Sequence, residues 1–231
     1  LQKDEKNVLV HLDKIRKLAN MKEKAKIVSE SNFPVAAGLA SSASGFAALT
    51  LAASQAAGLR LNQKELTILS RQGSGSSCRS VCEGFVEWYR GKKPDGSDSY
   101  AETIARKDYW PNFRMIATIV SEGRKKVSSR AGMAQTIETC PYYLGWLDTV
   151  EEDLEIIRDS IKKKDFSSVG KTAEANCLKM HALMMTTKPP ILYFIPATVE
   201  VMHAVWQFRE EDLECYFTID GGPQVKVMCL E

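Results

Sequence analysis

Histidine is scarce in this chain, with three among 231 residues. His11, His181 and His203 have no partner spacing that suggests a metal centre or a catalytic triad, so all three read as structural or surface residues. No C-x-x-C pair occurs among the six cysteines (Cys78, Cys82, Cys140, Cys177, Cys215 and Cys229), and no histidine lies at zinc-finger spacing from them. That excludes the common zinc modules and leaves reduced, mostly buried thiols of an intracellular protein. No apolar run approaches the ~20 residues that a membrane span requires. No signal peptide is visible, although the chain opens on Leu1 rather than on methionine. Excess charge of one sign is also missing: the formal net charge is +2, so no global field argues for nucleic acid or an acidic surface. There is no internal repeat and no low-complexity linker.

What is present is ordinary globular material, 44% hydrophobic and 26% charged. The length allows one large domain or two small ones with ample core. Apolar spacing at Leu9, Leu12, Ile15, Leu18 and Ala19 predicts a helix over 9–19. Lys26–Glu30 reads as a short strand. Ser44–Ala57 is an alanine-rich helix expected to be buried on most sides, with Gly58 as its C-terminal cap. Asn62 and Glu65 predict a capping box opening a helix to Arg71. Strands are expected over Phe85–Tyr89, Arg114–Ser121, 215–219 and 225–229. Helices are expected over 132–139, 148–163, 166–185 and 197–209, with Pro189-Pro190 ending the third of these. Strands and helices mix without regular alternation, which predicts an α+β fold.

Two small-residue loops stand out. Residues 34–46, Pro-Val-Ala-Ala-Gly-Leu-Ala-Ser-Ser-Ala-Ser-Gly-Phe, run straight into a helix. Small side chains let backbone approach an anion, and a helix N-terminus favours negative charge. No Gly-Lys-Ser/Thr follows, so this is not the Walker pattern. Taken alone, the stretch is either a phosphate cradle or a tight packing turn. The second loop, Gly73-Ser74-Gly75-Ser76-Ser77-Cys78-Arg79-Ser80, adds hydroxyls and a cation that can grip a carboxylate or phosphate. Arg79 reads either as a surface cation or as a buried, anchored guanidinium, the loop favouring the latter. Asp220 closes a strand before Gly221-Gly222-Pro223; it is either a turn-former or a carboxylate open to a ligand hydroxyl. Ser128 and Ser129, beside Lys125, Lys126 and Arg130, could touch phosphate or simply form a solvated basic loop.

Together these segments resemble a known family. Pro34–Ala43 is similar to the phosphate-binding motif of the galactokinase, homoserine kinase, mevalonate kinase and phosphomevalonate kinase superfamily. Asn32-Phe33-Pro34, the loop 73–80, Gly84–Trp88, Ser128-Ser129 with Gly132-Met133, Lys188–Tyr193 and Phe217–Pro223 resemble its mevalonate diphosphate decarboxylase branch. The resemblance runs from about residue 26 to the C-terminus. It implies a two-layer fold of that superfamily, whose N-terminal part is like a small ribosomal protein and whose C-terminal part is ferredoxin-like. Residues 1–110 would be the ATP- and substrate-binding domain and 111–231 the C-terminal domain.

The implied reaction converts ATP and mevalonate 5-diphosphate into isopentenyl diphosphate, ADP, phosphate and CO2. The matching positions imply roles. Asp220 would orient or deprotonate the 3-hydroxyl and Arg79 would hold the substrate carboxylate. Ser74 and Ser76 would contact the substrate, and Ser129 would lie near the transferred phosphate. Ala37, Gly38, Leu39, Ala40, Ser41 and Ser42 would bind ATP and the Mg2+ it carries, with no protein metal ligand. The resemblance further implies a cytoplasmic homodimer with no nucleic-acid or membrane partner. The chain departs from the pattern at three places. Asp-Gly-Gly-Pro-Gln stands for Asp-Ala-Gly-Pro-Asn, Arg130 for a threonine, and the family's N-terminal strands have no counterpart. A partial chain is therefore expected.

Overall fold

The computed structural model describes residues 3–33, 39–123 and 125–231. The chain divides into two compact units, residues 3–33 with 40–109 and residue 39 with 110–231. Pro34–Gly38, which include two of the expected nucleotide contacts, Ala37 and Gly38, lie outside the described residues.

The first unit is mainly helical: α1 (Lys3–Ala19), α2 (Ser41–Ala56), α3 (Gln63–Arg71) and α4 (Ser77–Ser80), with an antiparallel pair β1 (Phe85–Trp88) and β2 (Ala101–Ala105). Leu12 and Ile15 of α1, Ala43 and Ala47 of α2 and Leu69 of α3 form its buried apolar positions. His11 is buried with them, its Nε2–H donating to Thr50 Oγ1 at 2.8 Å, while Thr50 donates to the Phe46 carbonyl at 2.6 Å. The capping box at α3 is present: Asn62 Oδ1 accepts from the Glu65 amide and Glu65 Oε2 accepts from the Asn62 amide. Gly58 follows α2 at φ +71 and donates to Gln55, as a helix-ending glycine should.

Several readings differ here, beginning with α1, which starts at Lys3 rather than at residue 9. Lys26–Glu30 is exposed and unpaired in any ladder, because no described strand lies beside it to complete the backbone hydrogen bonds. The helix α2 starts three residues early, at Ser41, and buries one stripe, Ala43, Ala47, Thr50 and Ser54, rather than most of its surface. Its other faces have no packing partner in this unit, where α1, α3 and α4 supply its contacts. The strand β2 had no sequence signal; Ala-Glu-Thr-Ile-Ala is extended because β1 pairs with it, Trp88 opposite Ala101.

The second unit carries a three-stranded antiparallel sheet in the order β3-β5-β4, with β3 Phe113–Thr118, β4 Cys215–Thr218 and β5 Val225–Leu230. Four helices precede β4: α5 (Ser129–Thr139), α6 (Tyr143–Lys163), α7 (Phe166–Met185) and α8 (Pro196–Glu210). The core lies between α7, α8 and the sheet and contains Cys177, Met202, Val205, Cys215, Phe217, Ile219 and Val225. The early start of α5 matters to the site. Residues 125–130 are only in part a loop, because Ser128 Oγ caps the helix from the Ala131 amide and Ser129 is its first residue. Segregated helices and small antiparallel sheets make this an α+β fold.

Candidate active site

In the first unit the small-residue loop ends on the first turn of α2. Ala40 precedes it in the left-handed region, φ 55 and ψ 35, and Leu39 and Ala40 lead to Ser41 and Ser42 at the helix start. Ser42 is exposed, and its Oγ lies 3.3 Å from Oγ of Ser74 in the second loop. The two small-residue loops therefore meet through their hydroxyls. They can approach because Gly73 has no side chain: a Cβ there would sit 2.2 Å from the Phe46 ring of α2.

The second loop turns on Ser77. Its Oγ accepts from Ser70 Oγ at 2.8 Å and faces the carbonyls of Ser70 and Ser74, which are 2.7 and 2.6 Å away. This buried hydroxyl satisfies the turn and leaves Ser76, at the head of α4, with no capping bond from its side chain. Arg79 on α4 is exposed, not buried as the loop composition suggests. Its guanidinium carbon stands 5.9 Å from the Trp88 ring, within cation–π range, so it is held by an aromatic face and not by burial. Trp88 itself is fixed by Nε1–H donating to Ser99 Oγ at 3.1 Å.

In the second unit Asp220 follows β4 with its side chain 62% exposed. Its Oδ2 is 3.3 Å from Nζ of Lys226, whose side chain is only 12% exposed. Lys226 reaches it because the β4–β5 register sets Thr218 opposite Lys226, two residues before the aspartate. Beside this pair, Lys125 Nζ donates to Ser129 Oγ at 2.9 Å. Both atoms crowd Gly221: a Cβ there would lie 2.8 Å from the lysine nitrogen and 2.9 Å from the serine oxygen, so only glycine leaves the space between them open. Burial pushes the Lys125 ammonium below its usual value, and the charge of Asp220 partly counters this. Asp220, Lys226, Lys125 and Ser129 thus form a cluster of one carboxylate, two ammonium groups and a hydroxyl. Such a set can hold a hydroxyl and an anionic group side by side. Lys226 was not apparent from the sequence; its only signal was a strand position paired across the Asp220 turn.

The departure from the usual Asn four residues after the aspartate has a structural role. Gln224 is fully buried, and its Oε1 accepts from the Val120 amide at 2.7 Å while its amide donates to the Ser121 carbonyl. It ties the Asp220 turn to the end of β3. Among the described residues no group of three or more His, Cys, Asp or Glu could hold a metal ion. In the first unit the exposed Ser42 hydroxyl is of the donor type that suits a hard cation carried on phosphate oxygens.

Two α+β units, one presenting hydroxyl-lined loops at a helix start and the other a strand-end carboxylate among cations, define a protein of the small-molecule kinase superfamily type. Residues 1–101 match the diphosphomevalonate decarboxylase-like N-terminal domain and residues 115–231 the mevalonate 5-diphosphate decarboxylase C-terminal domain. The chain belongs to the diphosphomevalonate decarboxylase family. It is 36% identical over 212 residues to the diphosphomevalonate decarboxylase of Candida albicans, covering 91% of this chain and 58% of that protein. The Saccharomyces cerevisiae enzyme is 39% identical over 204 residues, 87% of this chain and 51% of its own length. The chain thus spans little more than half the length of these relatives. The mevalonate diphosphate decarboxylase of Staphylococcus aureus superposes with a TM-score of 0.93 at 38% identity, covering 100% of this chain and 69% of that one. MDDEF in complex with MVAPP, AMPPCP and magnesium gives 0.93 at 42% identity over 100% and 70%.

Proposed function

We propose that this chain carries the phosphate-binding loop, carboxylate clamp and catalytic carboxylate for ATP-dependent decarboxylation of mevalonate 5-diphosphate to isopentenyl diphosphate, ADP, phosphate and CO2. The carrying observation is the exposed Asp220 carboxylate held by Lys226 beside the Lys125–Ser129 pair. The family membership and the MVAPP, AMPPCP and magnesium held by a structure 42% identical to this chain support it.

On this reading Asp220 accepts the hydrogen bond of the substrate 3-hydroxyl and orients that oxygen toward the terminal phosphorus of ATP. Phosphoryl transfer depends mainly on such positioning and on charge neutralisation. Lys125 and Ser129 stabilise the transferred group. Loss of phosphate then breaks the C3–O bond, and the electron pair released as CO2 departs forms the new double bond. Arg79 holds the departing carboxylate, and Ser74 and Ser76 contact the substrate. Ala37, Gly38, Leu39, Ala40, Ser41 and Ser42 bind the nucleotide, whose Mg2+ supplies charge neutralisation between the phosphate oxygens. Residues 1–110 serve as the nucleotide and substrate domain and 111–231 as the C-terminal domain.

We also propose a cytoplasmic homodimer. The six cysteines are all free, as a reducing compartment favours. No described helix is long and apolar enough to cross a membrane. The deciding measurement follows ADP and labelled CO2 from carboxyl-labelled mevalonate 5-diphosphate, with one CO2 expected per ADP. ADP without CO2 would replace this reading with that of a kinase acting on the same hydroxyl.

A further inference from the structure

In the order β3-β5-β4, β4 is an edge strand, and an edge strand leaves alternate backbone groups unpaired. Here the odd-numbered residues turn outward, and side chains from two helices meet them. Arg209 of α8 donates to the Cys215 carbonyl at 2.8 Å. Glu174 of α7 accepts from the Phe217 amide at 3.2 Å. Cys177 takes both groups of Ile219: its sulfur accepts from the amide at 3.1 Å, and its S–H donates to the carbonyl at 3.4 Å. His181 Nε2–H completes the row, at 3.3 Å from the Ile219 carbonyl and 2.8 Å from the carbonyl of Asp220.

Glu174, Cys177 and His181 are spaced i, i+3, i+7, so they form one stripe along α7. The stripe does the work of a neighbouring strand, but with side chains, and it ends on Asp220, whose carboxylate stands exposed beside Lys226. Each member is suited to its place. Glu174 is held in turn by Trp206 Nε1 and by both terminal nitrogens of Arg209. Burial pushes the Cys177 thiol up to about 11, so it keeps the proton it donates. Burial likewise lowers the His181 value, which leaves a neutral ring with its proton on Nε2. Phe194 packs on that ring at 4.4 Å and fixes its plane.

We infer that the α7 stripe is the positioning device for Asp220, with His181 as the positioning residue that sets the aspartate backbone while Lys226 steers its carboxylate. This rests on the reading of Asp220 as the group that orients the substrate hydroxyl. A shift of about 1 Å in such a group costs about 100-fold in rate. His181→Leu should therefore lower kcat about 100-fold with KM for ATP and substrate within about twofold, whereas His181→Gln, which keeps an N–H donor near Nε2, should recover most of it. Cys177→Ala removes one link without touching the histidine, and should speed amide exchange at Ile219 about fivefold to tenfold. Wild-type kcat in a folded His181→Leu protein would overturn the inference, as would equal losses in the Leu and Gln variants or unchanged Ile219 exchange in Cys177→Ala. If the leucine variant does not fold, the glutamine variant and the Cys177→Ala exchange rate still decide it. Exchange is read on this chain without turnover. A wild-type protein that releases neither ADP nor CO2 would sink the functional reading and leave the exchange result to judge the stripe.

Discussion

At the scale of single residues the site depends on what is small as much as on what is charged. Gly221 leaves open the space between Lys125 Nζ and Ser129 Oγ. Gly221→Ala should fold, since its backbone is not in the left-handed region, but should weaken phosphate-dependent turnover; kcat/KM for ATP is the quantity to measure. Asp220→Asn keeps the shape of the side chain and removes its charge. It should cut CO2 release by about 100- to 10,000-fold while substrate binding, measured by calorimetry, stays within a few fold. Arg79 is exposed and lies within cation–π range of Trp88, so its loss leaves no buried orphan. Arg79→Ala should leave the melting temperature unchanged and lower kcat/KM for the substrate by about 10- to 100-fold, the value of a charge-assisted hydrogen bond.

At the scale of elements, α3 and α7 carry the testable energetics. The Asn62–Glu65 capping box satisfies two backbone donors at the head of α3. Asn62→Ala should cost about 1 kcal/mol in a urea titration. Glu174 is a harder case because it is buried and serves three partners. Glu174→Ala strands the Arg209 charge and the Phe217 amide together, and should cost about 3–5 kcal/mol, enough to raise the unfolded population visibly by circular dichroism. Glu174→Gln, which keeps an acceptor, should cost less.

For the whole molecule, the scarcity of histidine makes acid sensitivity readable. Burial, and then the charge of Lys14, hold His11 down at about 4 against an ordinary 6.5. Its Nδ1 is buried without a partner, so a second proton there has nothing to donate to. Above pH 6.5 neither folded nor unfolded chain protonates it, and stability is unaffected. Between 6.5 and 4 the unfolded chain takes a proton that the folded chain refuses, so stability falls as pH falls, by up to about 3 kcal/mol. Below 4 both states carry the proton and the loss levels off. His181, also lowered by burial, adds a decline of the same sign. Urea midpoints at several pH values should show this slope, and His11→Gln should flatten part of it.

Much of this was legible from local chemistry. A capping box, a helix-ending glycine and the two strands on either side of Gly221-Gly222-Pro223 are set by neighbours within a few residues, and each is present as the residue types dictate. Lys26–Glu30, β2 and the burial of α2 were not legible, because pairing and burial depend on what lies alongside, which no local pattern encodes. The same reason explains Arg79: loop composition says that a guanidinium can be anchored, while only the position of Trp88 says how. The sequence alone determined a small-residue loop running into a helix, a hydroxyl-rich loop and an aspartate at a strand end, since small side chains, hydroxyls and turn residues act locally. Tertiary structure decided that Lys226 lies opposite Thr218 and reaches Asp220, and that a stripe of α7 holds the edge strand bearing that aspartate. These are contacts between residues 6 to 43 positions apart, and they exist only after the chain has closed on itself.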